Sequence, residues 1–185
     1  RFRYIERGGE SECYKNWYED HGYDVTLLPK DLHFEGGGEL QRWRDKLLIG
    51  VGFRTDQKSA ERIGKVSNKE IVSLQLVDER FYHLDTCLMV LNSDVIFYYP
   101  KAFSAESVSE LKLLVPNLIE ISHDEVVNFA ANSVVIDHAV IIQDGNQKMA
   151  NQIRQLGFTV LSVDVGEFIK AGGGAHCLTG DLGNI

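Results

Sequence analysis

The stretch KMANQIRQLGFTVLSVD, residues 148–164, places a helical pattern and a strand pattern on either side of one glycine. Apolar residues in its first half recur at the spacing of an amphipathic helix, and the β-branched run after Gly157 is typical of a short strand. The same order of helix, glycine and strand occurs at 11–29, SECYKNWYEDHGYDVTLLP, which predicts a strand within 21–29. This self-similarity indicates a fold built from repeated units.

Other parts of the chain carry weaker copies of this unit. KEIVSLQLV at 69–77 and PNLIEIS at 116–122 predict the equivalent strands. Further strands are predicted in the apolar runs at 46–52, 94–100 and 138–145, and helices in the segments beginning SAERIGKV, SAESVSELKLL and NQKMANQIRQLG. Two strands, a helix and a third strand in each unit predict an α/β fold, with equivalent strands brought together around a central axis.

Composition and charge narrow the class of protein. The 185 residues are 44% apolar and 25% charged, which is typical of one soluble globular domain. No apolar run approaches the roughly 20 residues that span a bilayer, and no signal peptide is visible. The net charge of −8, without a Lys/Arg cluster, argues against a nucleic-acid partner. We therefore expect neither nucleic acid nor membrane as a partner.

The cysteines indicate a reducing compartment. Cys13, Cys87 and Cys177 are odd in number and widely spaced, so they form neither a disulfide framework nor a C-x-x-C zinc site. We expect free thiols and a cytoplasmic protein. The sequence also begins at Arg1 without a methionine, from which we expect N-terminal material to be missing.

The register of the repeat brings reactive residue types into equivalent positions. Glu35, His83, Ala131 and Cys177 are separated by 48, 48 and 46 residues, obtained by subtracting their numbers. If the units surround one axis, a carboxylate, an imidazole and a thiol converge on one place. The alternative is that the spacing is accidental and each residue is structural.

Cys177 is the first candidate for chemistry. Three glycines and His176 precede it, and glycine lets a backbone approach a ligand closely or adopt a positive φ. A buried structural cysteine is the alternative. As a nucleophile, the thiol must ionise.

His83 and Asp85 lie two residues apart in FYHLDTC. In a strand, these side chains share a face, which suits a general acid/base beside a cation-binding carboxylate. A core histidine satisfied by its neighbour is the alternative. The other histidines are interpreted as surface or loop residues.

Glu35 lies in FEGGGE, where a carboxylate in a turn with few side chains can bind a planar cation through two hydrogen bonds. A solvated turn glutamate is the alternative. The glycines do not match a phosphate loop. A metal site formed by His83, Asp85, Glu35 and Cys177 is also conceivable, although the spacing matches no established zinc motif.

Taken together, FEGGGE, GFRTD, FYHLDTC and KAGGGAHCLT resemble the guanidine-modifying superfamily, which contains arginine deiminase, dimethylarginine dimethylaminohydrolase, arginine dihydrolase-like enzymes and amidinotransferases. The resemblance covers nearly the whole chain. It implies the pentein fold, an α/β propeller of ββαβ modules, incomplete here because about three modules are recognisable where a closed ring needs five. It also implies that residues 1–185 form a single catalytic domain, roughly the C-terminal two thirds of the family domain.

The resemblance implies roles for six residues. Cys177 would be the nucleophile and His83 the general acid/base, while Glu35 and Asp85 would bind the guanidinium. Arg54 in GFRTD and Arg7 in RGGE would hold the substrate carboxylate.

The implied reaction is hydrolysis of arginine or a methylated arginine through a covalent thiouronium on the cysteine. It would release ammonia or an alkylamine and give citrulline, or ornithine after a second round. The bound cation should itself lower the pKa of the thiol. No metal or cofactor is implied.

Two alternatives stay open at this point: amidino transfer to an amine, and a non-catalytic module or inactive fragment. The partner is a small guanidino compound, with a homo-oligomer or the missing N-terminal part as possible associates.

The chain departs from the family pattern in two places. Glu39 stands where the motif usually has Asp. An early strand with a further guanidinium-binding Asp or Asn has no counterpart.

Overall fold

The computed structural model describes residues 1–180 and contains three modules of the same plan, each with two strands, a helix and a third strand. The first consists of β1 (Leu40–Trp43), β2 (Lys46–Val51), α2 (Gln57–Ser67) and β3 (Glu70–Gln75). The second consists of β4 (Leu88–Val90), β5 (Val95–Tyr98), α3 (Ala105–Leu114) and β6 (Asn117–Glu120). The third consists of β7 (Val134–Ile136), β8 (Ala139–Gln143), α5 (Gln147–Gln155) and β9 (Thr159–Val163).

Three further helices lie outside this plan. They are α1 (Glu10–Asp20), α4 (His123–Val127) and α6 (Gly166–Ile169). Short 3₁₀ turns occupy the remaining helical positions, at Ile5–Arg7, Glu79–Phe81, Leu84–Thr86, Pro100–Ala102 and His176–Leu178.

All three sheets have the same topology. The second strand of each module is central and pairs antiparallel with the first strand. It pairs parallel with the third strand, which follows the crossover helix. Parallel pairing needs such a long crossover, whereas the first two strands are joined by a short turn. The predicted α/β class and the ββαβ modules are confirmed.

Local sequence signals set where the helices begin and end. Ser104 caps α3, because its hydroxyl accepts a hydrogen bond from the amide of Ser107 at 3.2 Å. Asn68 ends α2 in the left-handed conformation, with φ of 52°, and a polar asparagine tolerates that conformation better than most residues. The Ser104 cap thus marks where α3 begins, and the Asn68 cap turns the chain back to the sheet at β3.

The core lies between the sheets and the helices. The central strands β2 and β5 are buried on both faces, as expected for a strand with parallel pairing and a covering helix, and β8 is half-buried on one face. The main cluster includes Leu48, Val72, Leu74, Leu84, Leu88, Ile96, Phe97, Val140, Ile142 and Ile153. One continuous core therefore spans the modules.

Hydrogen bonds also join the first module to the second. The Gln41 side chain donates to the Leu88 carbonyl at 2.6 Å and accepts from the Val90 amide at 2.9 Å. The Trp43 indole donates to the Ser93 carbonyl at 3.0 Å. These contacts fix the segments that lead into β1 and β4, which are FEGGGE and FYHLDTC.

Two local predictions are wrong. Residues 21–29 form no strand, and no strand of residues 1–180 lies beside them to supply the hydrogen bonds that a strand needs. FYHLDTC is also not a strand, because 3₁₀ turns at Glu79–Phe81 and Leu84–Thr86 flank an extended His83. His83 and Asp85 therefore do not share a strand face as predicted.

The N-terminal segment packs against the first glycine-rich turn. The backbone nitrogen of Arg1 donates to the Phe34 carbonyl at 3.1 Å, and the Phe34 amide donates to the Arg1 carbonyl at 2.9 Å. Arg3 forms an ion pair with Asp56 at 2.8 Å. Among residues 1–180, no helix combines the length and the apolar composition needed to cross a membrane.

Truncating the centre of the core should test this packing. Ile96, in β5, is fully buried, and we expect Ile96→Ala to lower the free energy of unfolding by about 2–5 kcal/mol. Leu113→Ala is the matched control, since Leu113 is 88% exposed and its loss should change the free energy by less than about 0.5 kcal/mol. Urea unfolding followed by circular dichroism measures both, and equal losses would contradict the assigned core.

Candidate functional site

The segments that precede the first strands of the modules meet at one place. Glu35 lies there, between Arg54 and His83. Its side chain is fully buried. One carboxylate oxygen accepts from the Arg3 amide at 2.9 Å, and the other contacts the Arg54 guanidinium at 2.8 Å and His83 Nε2 at 3.2 Å. Burial alone would raise the pKa of Glu35, but the Arg3 amide, Arg54 and His83 outweigh it and lower the pKa.

The guanidinium-binding role predicted for Glu35 stays a prediction. In this structure both of its oxygens contact groups of the chain itself, and one of them contacts the imidazole of His83. Asp85, the other carboxylate predicted to bind the cation, has one buried oxygen, Oδ1, with no hydrogen-bond partner among residues 1–180.

Arg54 is held between aromatic rings as well as by Glu35. Its guanidinium carbon lies 4.5 Å from the ring centre of Tyr4 and 4.6 Å from that of Tyr82. Arg7 lies farther out. It is bound through two hydrogen bonds to Glu10, at 2.7 and 2.8 Å, and reaches Glu35 only at 3.9 Å. The two predicted arginines thus lie on the same side of the site as His83.

His83 is a largely buried imidazole with carboxylates near it. Burial lowers its pKa, while the charges of Asp85 and Glu35 act in the opposite direction. With its pKa below the usual value, the ring is neutral at pH 7 and able to accept a proton. The Leu84–Thr86 turn follows directly and carries Asp85 toward the third module.

Asp85 contacts the thiol of Cys177. Oδ2 of Asp85 lies 3.6 Å from Cys177 Sγ and 2.9 Å from His176 Nδ1. The Asp85 backbone amide donates to the Gly38 carbonyl at 2.9 Å, which fixes this residue beside the FEGGGE turn. Asp85 is 1% exposed, so the carboxylate is largely removed from water.

Cys177 is exposed at the surface, but Asn132 and Asp85 contact its sulfur from within the chain. Burial of the thiol and the charge of Asp85 raise its pKa to about 11, against the opposing effect of Asn132. Cys177 is therefore a neutral thiol at pH 7 in the unliganded chain. A thiolate there needs a positive charge close by.

Two residues of the site were not predicted. The Asn132 amide lies 3.2 Å from Cys177 Sγ, and its oxygen accepts from the Cys177 amide at 3.2 Å. The repeat register placed Ala131 in this position, one residue away from Asn132. His176 was interpreted as a loop residue without a functional partner, yet it contacts Asp85. A register allowed to vary by one residue would have found Asn132.

The glycines are required by these close contacts. A Cβ on Gly38 would lie 2.7 Å from His83 Nδ1, one on Gly172 would lie 2.9 Å from the Tyr82 hydroxyl, and one on Gly174 would lie 2.8 Å from Asn132 Oδ1. Side chains are absent from these turns because other side chains of the site occupy the space.

Glu39 is a second buried carboxyl next to the site. It is 1% exposed, and its Oε2 would lie 2.9 Å from a Cβ on Gly50. Among residues 1–180, neither carboxyl oxygen of Glu39 has a hydrogen bond of standard geometry, although Thr55 and the Leu84 amide lie near enough to oppose a rise in its pKa. Burial and the charge of Asp85 prevail and raise the pKa of Glu39 to about 8.

The metal-site alternative gains no support from this geometry. Within residues 1–180, no group of three or more His, Cys, Asp and Glu side chains is arranged to hold a metal ion. Glu35 instead binds arginines and His83, and Asp85 binds His176.

Comparison with known proteins assigns the family. The family model described as eukaryotic N,N dimethylarginine dimethylhydrolase matches residues 15–183. The chain belongs to this family, and its relatives include arginine dihydrolases and arginine deiminases, which places it in the pentein superfamily as the sequence motifs indicated.

Several relatives cover nearly all of this chain. The bifunctional arginine dihydrolase/ornithine cyclodeaminase AgrE of Nostoc is 42% identical over 97% of this chain and 26% of its own length. The dimethylarginine dimethylaminohydrolase of Mycobacterium tuberculosis is 40% identical over 97% of this chain and 59% of its own length. The chain thus spans about a quarter of the first relative and under two thirds of the second.

Solved structures agree with the fold. The N-terminal domain of ArgZ, a cyanobacterial arginine dihydrolase bound to its product, has a TM-score of 0.93 and 40% identity, covering 96% of this chain and 67% of that one. A Pseudomonas aeruginosa dimethylarginine dimethylaminohydrolase mutant complexed with citrulline has a TM-score of 0.78 and 25% identity, covering 94% and 66%. The pentein architecture of the modules is confirmed.

Adjacent glycines in FEGGGE provide a test of the site geometry. Gly38→Ala should push a methyl group onto the His83 ring, and we expect turnover of a guanidino substrate to fall at least about tenfold. Gly37→Ala is the control, because a Cβ there meets nothing within 4 Å. Steady-state kinetics with arginine and dimethylarginine measure the effect, and an unaffected Gly38→Ala variant would refute the placement of His83.

The buried acid gives a prediction about stability and pH. Because the pKa of Glu39 is about 8 in the folded chain and near 4.5 in an unfolded one, the folded state keeps a proton that the unfolded state loses between those values. Its contribution to the free energy of unfolding should therefore fall, by on the order of 3–5 kcal/mol, as pH rises from 4.5 to 8.

Glu39→Gln should remove that slope, so the variant loses less stability than wild type between pH 5 and pH 8 in urea unfolding. Glu110→Gln, at an exposed position of α3, is the control and should keep the wild-type slope. Parallel curves for wild type and Glu39→Gln would show that Glu39 is ionised in the folded protein.

Proposed function

We propose that the chain carries the catalytic residues of an amidine hydrolase that acts on arginine or a methylated arginine. The observation that carries the proposal is the contact between the Cys177 thiol and the Asp85 carboxylate, 3.6 Å apart, in a site that also holds His83. A thiol with a pKa raised to about 11 is almost entirely protonated at pH 7 and is therefore a weak nucleophile until a cation is bound beside it. A guanidinium ion supplies that charge at the carbon to be attacked.

Binding of the substrate comes first in the proposed mechanism. The guanidinium binds to Asp85 through charge-assisted hydrogen bonds, and its charge lowers the pKa of Cys177. Arg54 and Arg7 hold the substrate carboxylate, after exchanging part of their present contacts with Glu35 and Glu10. The positions of these two arginines on the His83 side of the site support this orientation.

The covalent step follows from the placement of the thiol. The Cys177 proton passes to neutral His83, the thiolate forms a bond to the guanidinium carbon, and the bond from that carbon to a terminal nitrogen breaks. His83, held by Glu35, delivers the proton that the departing nitrogen needs. Ammonia leaves from arginine and an alkylamine from a methylated arginine, and a thiouronium remains on Cys177.

Hydrolysis then restores the enzyme. His83, neutral again, takes a proton from a water molecule as the water oxygen bonds to the thiouronium carbon. The carbon–sulfur bond then breaks, the second proton of that oxygen passes to the sulfur, and citrulline and the Cys177 thiol are released. His83 returns its proton to solvent. A second hydrolysis at the ureido carbon would release another ammonia, and loss of carbon dioxide from the resulting carbamate gives ornithine. Two relatives that share this site region are named as arginine dihydrolases, which supports including this branch.

We also propose a domain assignment and a cellular location for this chain. Residues 1–185 would form part of a single guanidine-modifying domain, because the relatives of this chain extend beyond the matched region. The three unpaired cysteines support a cytoplasmic location. The mass of the protein in solution would show whether the chain associates with a second copy of itself or with the N-terminal part of the family domain.

Removing the thiol is the direct test of the covalent route. Cys177→Ser should lower turnover by roughly a thousandfold or more, since the hydroxyl is a far weaker nucleophile here. Wild type should gain one adduct with chloroacetamidine, seen by intact mass, and arginine should protect against it. Cys13→Ser is the control, because Cys13 is an exposed thiol in α1 and its loss should leave both results unchanged. Full turnover by Cys177→Ser would exclude the mechanism.

The substrate is assigned by product analysis. We expect purified protein carrying this sequence to form citrulline or ornithine from arginine or dimethylarginine, with ammonia or dimethylamine in matching amounts. Each assay is run with and without glycine as an amidino acceptor. Guanidinoacetate formed at the expense of ammonia would replace the hydrolase with an amidinotransferase.

A further inference from the structure

Tyr82 contacts both halves of the site but has no part in the mechanism above. It precedes His83 directly, and its ring lies edge-on to the imidazole, with ring centres 4.9 Å apart and planes at 64°. Its side chain is about half buried. The residue therefore lies between the acid/base on one side and the nucleophile loop on the other.

The hydroxyl of Tyr82 binds the nucleophile loop. It donates to the Gly172 carbonyl at 2.8 Å, a contact between residues 90 positions apart. Gly172 has a φ of 89°, a conformation that favours glycine, and a Cβ there would lie 2.9 Å from the hydroxyl. Burial raises the pKa of Tyr82, so the phenol keeps the proton that it donates. This hydrogen bond ties the loop that carries Cys177 to the segment that carries His83.

The ring of Tyr82 performs a different task. Its centre lies 4.6 Å from the guanidinium carbon of Arg54, and the ring of Tyr4 lies on that guanidinium at 4.5 Å. An aromatic face attracts a cation at this distance. The ring therefore restrains Arg54, the residue proposed to hold the substrate carboxylate, independently of the hydroxyl.

We propose that Tyr82 is a positioning residue with two separable actions: its hydroxyl sets the position of the Cys177 loop relative to His83, and its ring sets the position of Arg54. The proposal rests on the proposed function for its kinetic consequences. The two actions use different atoms, so two substitutions distinguish them.

Tyr82→Phe removes only the hydroxyl. We expect kcat with arginine to fall roughly 3- to 10-fold, with KM within twofold of wild type, since one hydrogen bond that positions the nucleophile is lost. The rate of Cys177 alkylation by iodoacetamide, followed by mass mapping, should change by at least about threefold in the same variant. Tyr99→Phe is the matched control, because its hydroxyl contacts His123 at 3.0 Å outside the site, and it should keep the wild-type rate.

Tyr82→Leu removes the ring as well. The KM for arginine should rise at least about fivefold beyond that of Tyr82→Phe, whereas the dissociation constant for agmatine should match that of Tyr82→Phe. Agmatine lacks the carboxylate that Arg54 is proposed to hold, so a loss confined to the ring should not affect it. Thermal unfolding of all variants shows whether they are folded.

The outcomes distinguish failure of the positioning role of Tyr82 from failure of the proposed hydrolase function. Wild-type kcat and wild-type alkylation in Tyr82→Phe would overturn the role of the hydroxyl, and equal losses for arginine and agmatine in Tyr82→Leu would overturn the role of the ring. A protein that turns over no guanidino substrate but shows the altered alkylation would keep the loop tether and refute the proposed function.

Discussion

The arrangement of the site depends on one contact, the approach of the Asp85 carboxylate to the Cys177 thiol at 3.6 Å in partly desolvated surroundings. A carboxylate and a thiolate this close would repel one another, and burial would add to the cost of both charges. The chain keeps the thiol neutral instead, with a pKa raised to about 11. In the proposed function, a cation that binds to Asp85 would remove the repulsion and create the nucleophile in the same event, which would favour charged planar substrates over neutral ones.

Most of the neighbouring structure maintains this contact. The Gly38 carbonyl holds the Asp85 backbone, and Asn132 holds the Cys177 amide and contacts its sulfur. Glu35 contacts both His83 and Arg54, so the imidazole proposed as acid/base is oriented by a carboxylate whose side chain is fully buried. Three modules of equal topology bring these segments together because each reactive segment leads into the first strand of a module or lies in the loop after the last one.

The fold could be predicted because each module repeats a strong local pattern. The central strands are short apolar runs and the helices that follow them are amphipathic, so both patterns can be recognised in the sequence alone. The prediction failed at 21–29, where the residues have strand composition but no neighbouring strand in residues 1–180 to pair with. It also failed at His83, because the 3₁₀ turn after it follows from the hydrogen bond between the Asp85 amide and Gly38, which is distant in sequence.

The site was less accessible from the sequence than the fold. Asp85 and Cys177 are candidate site residues by residue type alone, because one is charged and the other is nucleophilic. Asn132 becomes a candidate only through the contacts that it makes in the folded chain. Glu35 was recognised, but its partners were not, because Arg54 and His83 are brought to it by two different loops. Glu39 was noted only as a departure from a motif, and its raised pKa arises from burial against Asp85.

The central claim is that Cys177 ionises only when a cation is beside it, and a thiolate titration measures this most directly. The 13Cβ chemical shift of 13C-labelled Cys177, which moves when the thiol ionises, would be followed against pH by NMR in a Cys13→Ser background, where buried Cys87, with its pKa raised well above the usual value, does not interfere. We expect a thiolate that appears near pH 11 in the free protein and at least about one pH unit lower when agmatine saturates the site. A thiolate already present at pH 7 without ligand, or a titration that agmatine leaves unchanged, would contradict the claim.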